Sequence, residues 1–375
     1  MKIGIITQPL ATNYGGLLQN YALQESLRRL GHTPITINQY WPLIPKKKYL
    51  IKSAKNIVKR IIGRKYTPLV YIKDNDIKTI SVNTDKFINN YLTCTKRVSR
   101  LADYRKVIAE ENLEAIIVGS DQVWRPIYCR NIERSYLNFA EGFRIKRIAY
   151  AASFGVDEWE YSNEQTQTCK ELVKKFEAVS VREEGGIKLC QDFLDINAKL
   201  VLDPTMLLDK EDYIKLVDIS EIPQSNGNLF TYILDMTEEK QAYIDKVAQK
   251  TCLTPFSSMP AKGKEYIKTD IEQCVYPPVE QWLRAFMDAK FVVCDSFHGA
   301  VFSIIFNKPF IIIGNKERGM SRFHSLTKLF SLEERLISDF DNIEIIEKHI
   351  DWGSINEKRE QMKTLSFNFI KEGLK

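Results

Sequence analysis

FVVCDSFHGAVFSIIFNKPFIII, residues 291–313, reads as a strand (291–294), a small polar turn, a helix (300–307) and a second strand (309–313). Short apolar runs on either side of a helix-length segment mark a parallel strand pair joined by a crossover helix. The same alternation extends through the chain. Upstream it predicts strands at 2–7, 34–37, 115–118, 147–151, 178–181 and 199–202, with helices at 17–30 and 165–176. After Asp203-Pro204-Thr205 a second series begins, with a strand at 228–234 and a helix at 238–250. The expected fold class is therefore α/β, in two successive units spanning 1–205 and 206–375 that meet near 204–208. No internal repeat of solenoid length is present.

With 375 residues, 44% apolar and 27% charged, the composition is that of a globular protein and excludes collagen, low-complexity disorder and a disulfide scaffold. The seven cysteines (94, 129, 169, 190, 252, 274 and 294) are scattered and form no CxxC, which argues for a reducing compartment and against a cysteine-built zinc site. The most apolar stretch, 301–314, is short for a span and is interrupted by Asn307, Lys308 and Pro309. The opening residues offer no signal-peptide core, so a cytoplasmic location is expected.

Charge is uneven. The net of +6 conceals twelve Lys or Arg and no Asp or Glu between Ser26 and Lys73, which leaves 42 basic against 48 acidic residues elsewhere. Within the insertion 44–73, KKKYLIKSAKNIVKRIIGRK runs from Lys46 to Lys65. It sets Ile51, Ala54, Val58, Ile61 and Ile62 at helical spacing, with Lys52, Lys55, Lys59 and Arg60 mostly on other faces. Such a helix suits an anionic membrane surface or a polyanionic substrate. It equally suits a helix docked on its own domain with a solvated cationic face. Nucleic acid is disfavoured, because aromatic residues are not interleaved for stacking.

In parallel sheets ligands bind beyond the carboxyl ends of the strands. Asn13-Tyr14-Gly15-Gly16 follows the first strand and opens a helix, an arrangement able to attract an anion or simply to turn the chain. Gly119-Ser120-Asp121 and Ala152-Ser153-Phe154-Gly155 are further small-residue turns, and Asp121 is equally suited to cap a helix. Arg182 directly follows the 178–181 strand. It is suited to a phosphate or carboxylate, or else to an ion pair with Glu183 or Asp203. Of the histidines at 32, 298, 324 and 349, only His298 falls at a predicted strand-to-helix junction, in Asp295-Ser296-Phe297-His298-Gly299. There the helix macrodipole disfavours the imidazolium unless an anion binds, which fits an acid or base serving an anionic substrate. Arg318, Arg322 and His324 follow the next strand, on the same predicted edge. No metal constellation, GxGxxG, P-loop or GxSxG motif occurs.

Together, NYGGLLQNYAL (13–23), VGSDQVW (118–124), YAASFG (150–155), SVREEGG (180–186), VLDPTMLL (201–208) and DSFHGAVFSIIFNKPF (295–310) resemble the polysaccharide pyruvyl transferase family, a likeness that spans residues 2 to about 330. The resemblance implies a GT-B-like fold, two Rossmann-like domains facing a cleft. It also implies transfer of pyruvate from phosphoenolpyruvate to two hydroxyls of a sugar or lipid-linked glycan, giving a cyclic ketal. The donor is a substrate, and no cofactor or metal is expected.

Where family members carry Asp-Arg-Leu-His-Gly, this chain has Asp295-Ser296-Phe297-His298-Gly299. The histidine carries over and the arginine does not, so Arg322 or Arg318 would take its place. Arg182 matches the family's Ser-Val-Arg-Glu arginine. The expected assignments are His298 and Asp295 in catalysis, Arg182, Arg322, Arg318, Ser296 and Gly299 at the donor, and Asn13, Gly15, Gly16, Gln19, Asp121 and Ser153 at the acceptor. The cationic helix would hold the enzyme at the inner face of the membrane. The alternatives are a GT-B glycosyltransferase using a nucleotide sugar and a non-catalytic scaffold of a polysaccharide assembly complex.

Overall fold

The computed structural model describes residues 1–43, 49, 51, 70–315 and 318–375. The basic stretch read at 46–65 thus lies, apart from Tyr49 and Ile51, outside the described residues. Two parallel sheets form. The first holds β1 (Lys2–Ile6), β2 (Thr33–Thr36), β3 (Ala115–Val118), β4 (Lys146–Ala152), β5 (Ala178–Val181) and β6 (Lys199–Leu200), in the order β2-β1-β3-β4-β5-β6. The second holds β7 (Leu229–Tyr232), β8 (Pro255–Phe256), β9 (Phe291–Cys294), β10 (Phe310–Ile313) and β11 (Leu336–Ile337), ordered β11-β10-β9-β7-β8. Each sheet starts one strand in from an edge, adds that edge strand and then crosses to the other side. This creates a switch point between β1 and β3 and another between β7 and β9.

The predicted strands are present with ends shifted by a few residues. The unforeseen β8 and β11 are two-residue edge strands, too short to carry a periodic pattern. Two helices start three residues earlier than periodicity suggests. The helix Tyr14–Arg29 takes Gly15 and Gly16 into its first turn, because the Asn13 side chain caps it by accepting from Gly16 N at 3.2 Å. The helix Phe297–Ile305 likewise absorbs His298 and Gly299, and all nine of its residues are buried.

The last helix, Trp352–Leu374, does not stay with the second unit. It joins Phe369, Ile370 and Leu374 to the apolar cluster that holds Ile3, Ile5, Ile117 and Ile148 of the first sheet and Leu23 and Leu27 of the first helix. The chain therefore does not divide at 205/206 alone, since its C-terminal helix clasps the first unit. One apolar cluster also runs through both halves, joining Tyr14, Leu17 and Leu18 to Tyr232, Trp282 and Phe302. Tyr14 stacks on Trp282 (5.8 Å between centroids) and donates its hydroxyl to the Pro277 carbonyl at 2.9 Å. Burial at about 25 cal/mol per Å² of apolar surface makes this shared cluster a tie between the halves. Among the described residues, no helix is long and apolar enough to cross a membrane.

Candidate active site

The carboxyl ends of the two sheets face one another across a cleft of about 550 Å³. It opens over both switch points, where connecting loops part in opposite directions and leave room for a ligand. Asn13, Asp121 and Gln122 line it from the first half, and Asp295 to His298, Arg318 and Arg322 line it from the second.

Behind this wall lies a chain of charges. Arg182, at the end of β5, donates Nη1 to Asp203 Oδ2 at 2.6 Å and Nη2 to Asp121 Oδ1 at 2.9 Å. Its side chain is 1% exposed, and it does not line the cleft. The ion-pair reading of Arg182 therefore describes its contacts, with Asp203 and Asp121 as the partners rather than Glu183. A guanidinium clamped by two carboxylates is largely neutralised, so the charge expected at the donor is paired within the protein here.

Asp203 is shared. Its Oδ2 also faces His298 Nε2 at 3.7 Å, beyond hydrogen-bond length but well within Coulombic reach. Burial would push the Asp203 carboxyl up, but His298 and Arg182 outweigh it and hold the group far below the usual carboxylate range. Asp121 is likewise held low against burial, chiefly by Arg182, then by His298 and Arg322. His298 Nε2 is buried and has no hydrogen-bond partner among the described residues. The other side of the ring rests on Gly15, where a Cβ would stand 2.1 Å from Nδ1. Gly15 thus serves as the seat of an imidazole delivered by the opposite half.

Arg322 differs from Arg182. It is buried yet lines the cleft, makes no ion pair among the described residues, donates only to the Arg318 carbonyl at 3.0 Å, and leaves Nε unpartnered. Burial, and then the like charge of Arg182, lower its pKa to about 10. Both guanidinium groups lie over the Phe297 ring, at 4.4 and 5.4 Å from its centroid, so the aromatic face moderates two cations that repel. Arg318 is gripped at both ends by Asp235, through Nε at 2.5 Å and Nη2 at 3.0 Å. The two helices whose first turns meet here, Phe297–Ile305 and Ser321–Leu329, have no side-chain cap, which leaves backbone N–H groups for an anion.

The remaining expected residues separate into wall and support. Asn13, Asp121 and Ser296 reach the cleft. Asp295 borders it but is wholly buried, accepting from Leu234 N at 2.7 Å, Asp235 N at 3.2 Å and Lys240 Nζ at 2.6 Å. With both oxygens occupied, it ties the loop after β7 to the turn after β9. Gly15, Gly16, Gln19, Ser153 and Gly299 stand behind the wall, not on it. Gln19 spends its amide on Thr7 at 2.8 Å, and Gly299 packs its helix onto Cys294.

Sequence reasoning did not assign Glu183, Asp203 or Phe297 to the site. Asp203 and Glu183 each follow a strand at the edge that carries Arg182, and that shared edge was the available signal. Glu183 accepts from Phe154 N at 2.7 Å and Gly155 N at 3.1 Å, and burial raises its pKa despite Arg182 nearby. Phe297 carries no titratable group, so nothing in the sequence marked it.

No curated protein matches the chain in sequence. Among solved structures, UDP-GlcNAc 2-epimerase from Neisseria meningitidis bound to UDP-GlcNAc is similar with a TM-score of 0.52 at 10% identity, over 100% of this chain and 99% of that one. UDP-GlcNAc 2-epimerase from Methanocaldococcus jannaschii reaches 0.49 at 12% identity, over 98% and 100% of the two chains. A glycosyltransferase from Rickettsia africae reaches 0.48 at 11%, over 100% and 95%. The first of these supports the GT-B arrangement of two Rossmann-like domains already evident in the strand orders. In sequence, the profile of the polysaccharide pyruvyl transferase family matches residues 13–317, from the cap of the first helix to the loop beyond β10. The His298 turn, the Arg182 turn and the glycine seat all fall inside that match, and the chain belongs to the polysaccharide pyruvyl transferase family, whose members act on glycans.

Proposed function

We propose that the donor is phosphoenolpyruvate, that Arg322 and the first turn of Phe297–Ile305 hold its anionic groups, and that His298 is the acid that starts transfer. One observation carries this reading. Among the described residues, a buried guanidinium with no ion-pair partner shares a cleft wall with a buried imidazole whose Nε2 lacks a hydrogen-bond partner. Such groups are stable when a ligand anion completes them.

His298 gives a proton to the methylene carbon, leaving an oxocarbenium-like C2. A sugar hydroxyl attacks C2 and returns its proton to His298. The bond from C2 to the bridging oxygen then breaks, and phosphate departs. A second hydroxyl bonds to C2 and closes the ketal, its proton leaving with the phosphate. Asp203 would stabilise the imidazolium form and orient the ring. Arg182 would hold Asp203 and Asp121 in place without touching substrate. The cationic stretch 46–65 would keep the enzyme near lipid-linked acceptors, a reading that its charge pattern alone supports.

The test is thermal stabilisation and phosphate release on adding phosphoenolpyruvate, beside a UDP control. Stabilisation by phosphoenolpyruvate that is lost in Arg322→Ala, with phosphate release lost in His298→Ala, is expected. Stabilisation by UDP alone would transfer the site to nucleotide-sugar chemistry, and near-normal release in His298→Ala would remove the acid.

A further inference from the structure

The cleft is far larger than its donor. Pockets of roughly 300–1,000 Å³ bury drug-sized ligands, whereas phosphoenolpyruvate has about ten non-hydrogen atoms, so most of the 550 Å³ is left for something else. The unused wall is aromatic. Trp41 and Tyr128 come from the first half, Tyr276 and Met259 from the second, and Ile127 forms a lip that is 62% exposed. Partly exposed rings in a cleft are costly to leave in water and are apt for ligands with one apolar face and one polar edge. Two of them are braced from one side. The Arg130 guanidinium lies 5.8 Å from the Trp41 ring, and that of Arg125 lies 5.4 Å from the Tyr128 ring. Arg130 is itself tied to the Pro42 carbonyl at 2.8 Å, and Arg125 to Glu160. The rings are therefore set before any ligand arrives.

We infer that Trp41 and Tyr128 form the acceptor subsite, a stacking platform for the C–H face of a pyranose. This deepens the proposed reaction and rests on it for the identity of the donor. Stacking by a face leaves the hydroxyls at the ring's edge free, and a ketal needs two neighbouring hydroxyls presented together at one carbon. The charged end of the cleft, with Arg322 and His298, then sees the edge of a sugar whose plane the aromatic end has fixed. Trp41 and Tyr128 are specificity-determining residues for the glycan.

The experiment uses the full chain and a panel of methyl hexopyranosides and N-acetylhexosamines, followed by saturation-transfer NMR without donor. At least one sugar should show saturation concentrated on its ring C–H protons, lost in Trp41→Ala and Tyr128→Ala and largely recovered in Trp41→Phe. With donor present, KM for that sugar should rise about tenfold in Trp41→Ala, while KM for phosphoenolpyruvate moves less than about twofold. Saturation that persists in both alanine variants overturns the platform, as does failure of every sugar to bind. A protein that keeps the Trp41-dependent signal but releases no phosphate from phosphoenolpyruvate would overturn the donor and leave the platform standing.

Discussion

Replacing Gly15 by alanine should disable the enzyme from a position that touches no substrate. Gly15 lies in the first turn of a helix, where alanine is ordinarily better by about 1 kcal/mol. Here the new methyl would stand 2.1 Å from His298 Nδ1, 2.2 Å from Cγ and 2.7 Å from Cβ. Carbon contacts settle near 3.5 Å, so the ring must retreat by roughly 1.4 Å. It has little room, because Asp203 is behind it and the halves are locked by the Tyr14–Trp282 stack. Overpacking of this kind costs about 1–3 kcal/mol, and a displacement of about 1 Å in a reacting group costs on the order of 10² in rate. Turnover should therefore fall about a hundredfold while the protein stays folded. Gly16→Ala is the comparison, since its methyl would meet the capping Asn13 side chain, Nδ2 at 3.1 Å and Cγ at 3.3 Å, and not His298. The assay is phosphate release with saturating donor and acceptor, alongside the thermal midpoint. Wild-type turnover in Gly15→Ala with an unchanged midpoint would refute the idea that His298 is seated on Gly15 and needed there.

Arg322→Ala should raise KM for phosphoenolpyruvate by roughly 10–100-fold, the worth of a charge-assisted contact, whereas Arg318→Ala, already neutralised by Asp235, should change it far less. Reversed magnitudes in donor titrations would give the anion to Arg318. Asp203→Asn leaves Arg182 half-paired in the interior and should cost about 3–5 kcal/mol in denaturant unfolding. The sign with pH follows from a folded pKa held below the unfolded value of about 3.9. The contribution is complete above that value and fades as pH falls towards the folded one, so the variant's deficit should shrink in acid. Glu183 runs the other way. Its raised pKa makes the native state lose stability as pH climbs from about 4.3 towards the folded value, and Glu183→Gln, which can still accept from Phe154 and Gly155, should gain relative to wild type over that rise. A pH-independent difference in thermal midpoint would show that Glu183 is not strained by burial.

Much of this molecule was written in local pattern. Short apolar runs alternating with helical periodicity gave the two parallel sheets, because burial on both faces leaves a strand no choice but to be apolar. The turns after those strands gave the candidate site, because parallel topology sends every such turn to one edge. His298 and Arg322 were legible for that reason, as polar groups in the segments that follow buried strands. Which arginine faces a ligand was not legible. Arg182 and Arg322 look alike in the chain, and only three-dimensional packing pairs the first with two carboxylates and leaves the second, among the described residues, without an ion pair. The same holds for Gly15, read as part of a turn until a histidine almost three hundred residues away proved to occupy its missing side chain. The last helix, Trp352–Leu374, crosses back to the first sheet because the apolar surface that receives Phe369, Ile370 and Leu374 lies there. Local sequence sets what each segment can bury. Tertiary structure decides against what it is buried, and with that which charges are spent on the protein and which are left for a substrate.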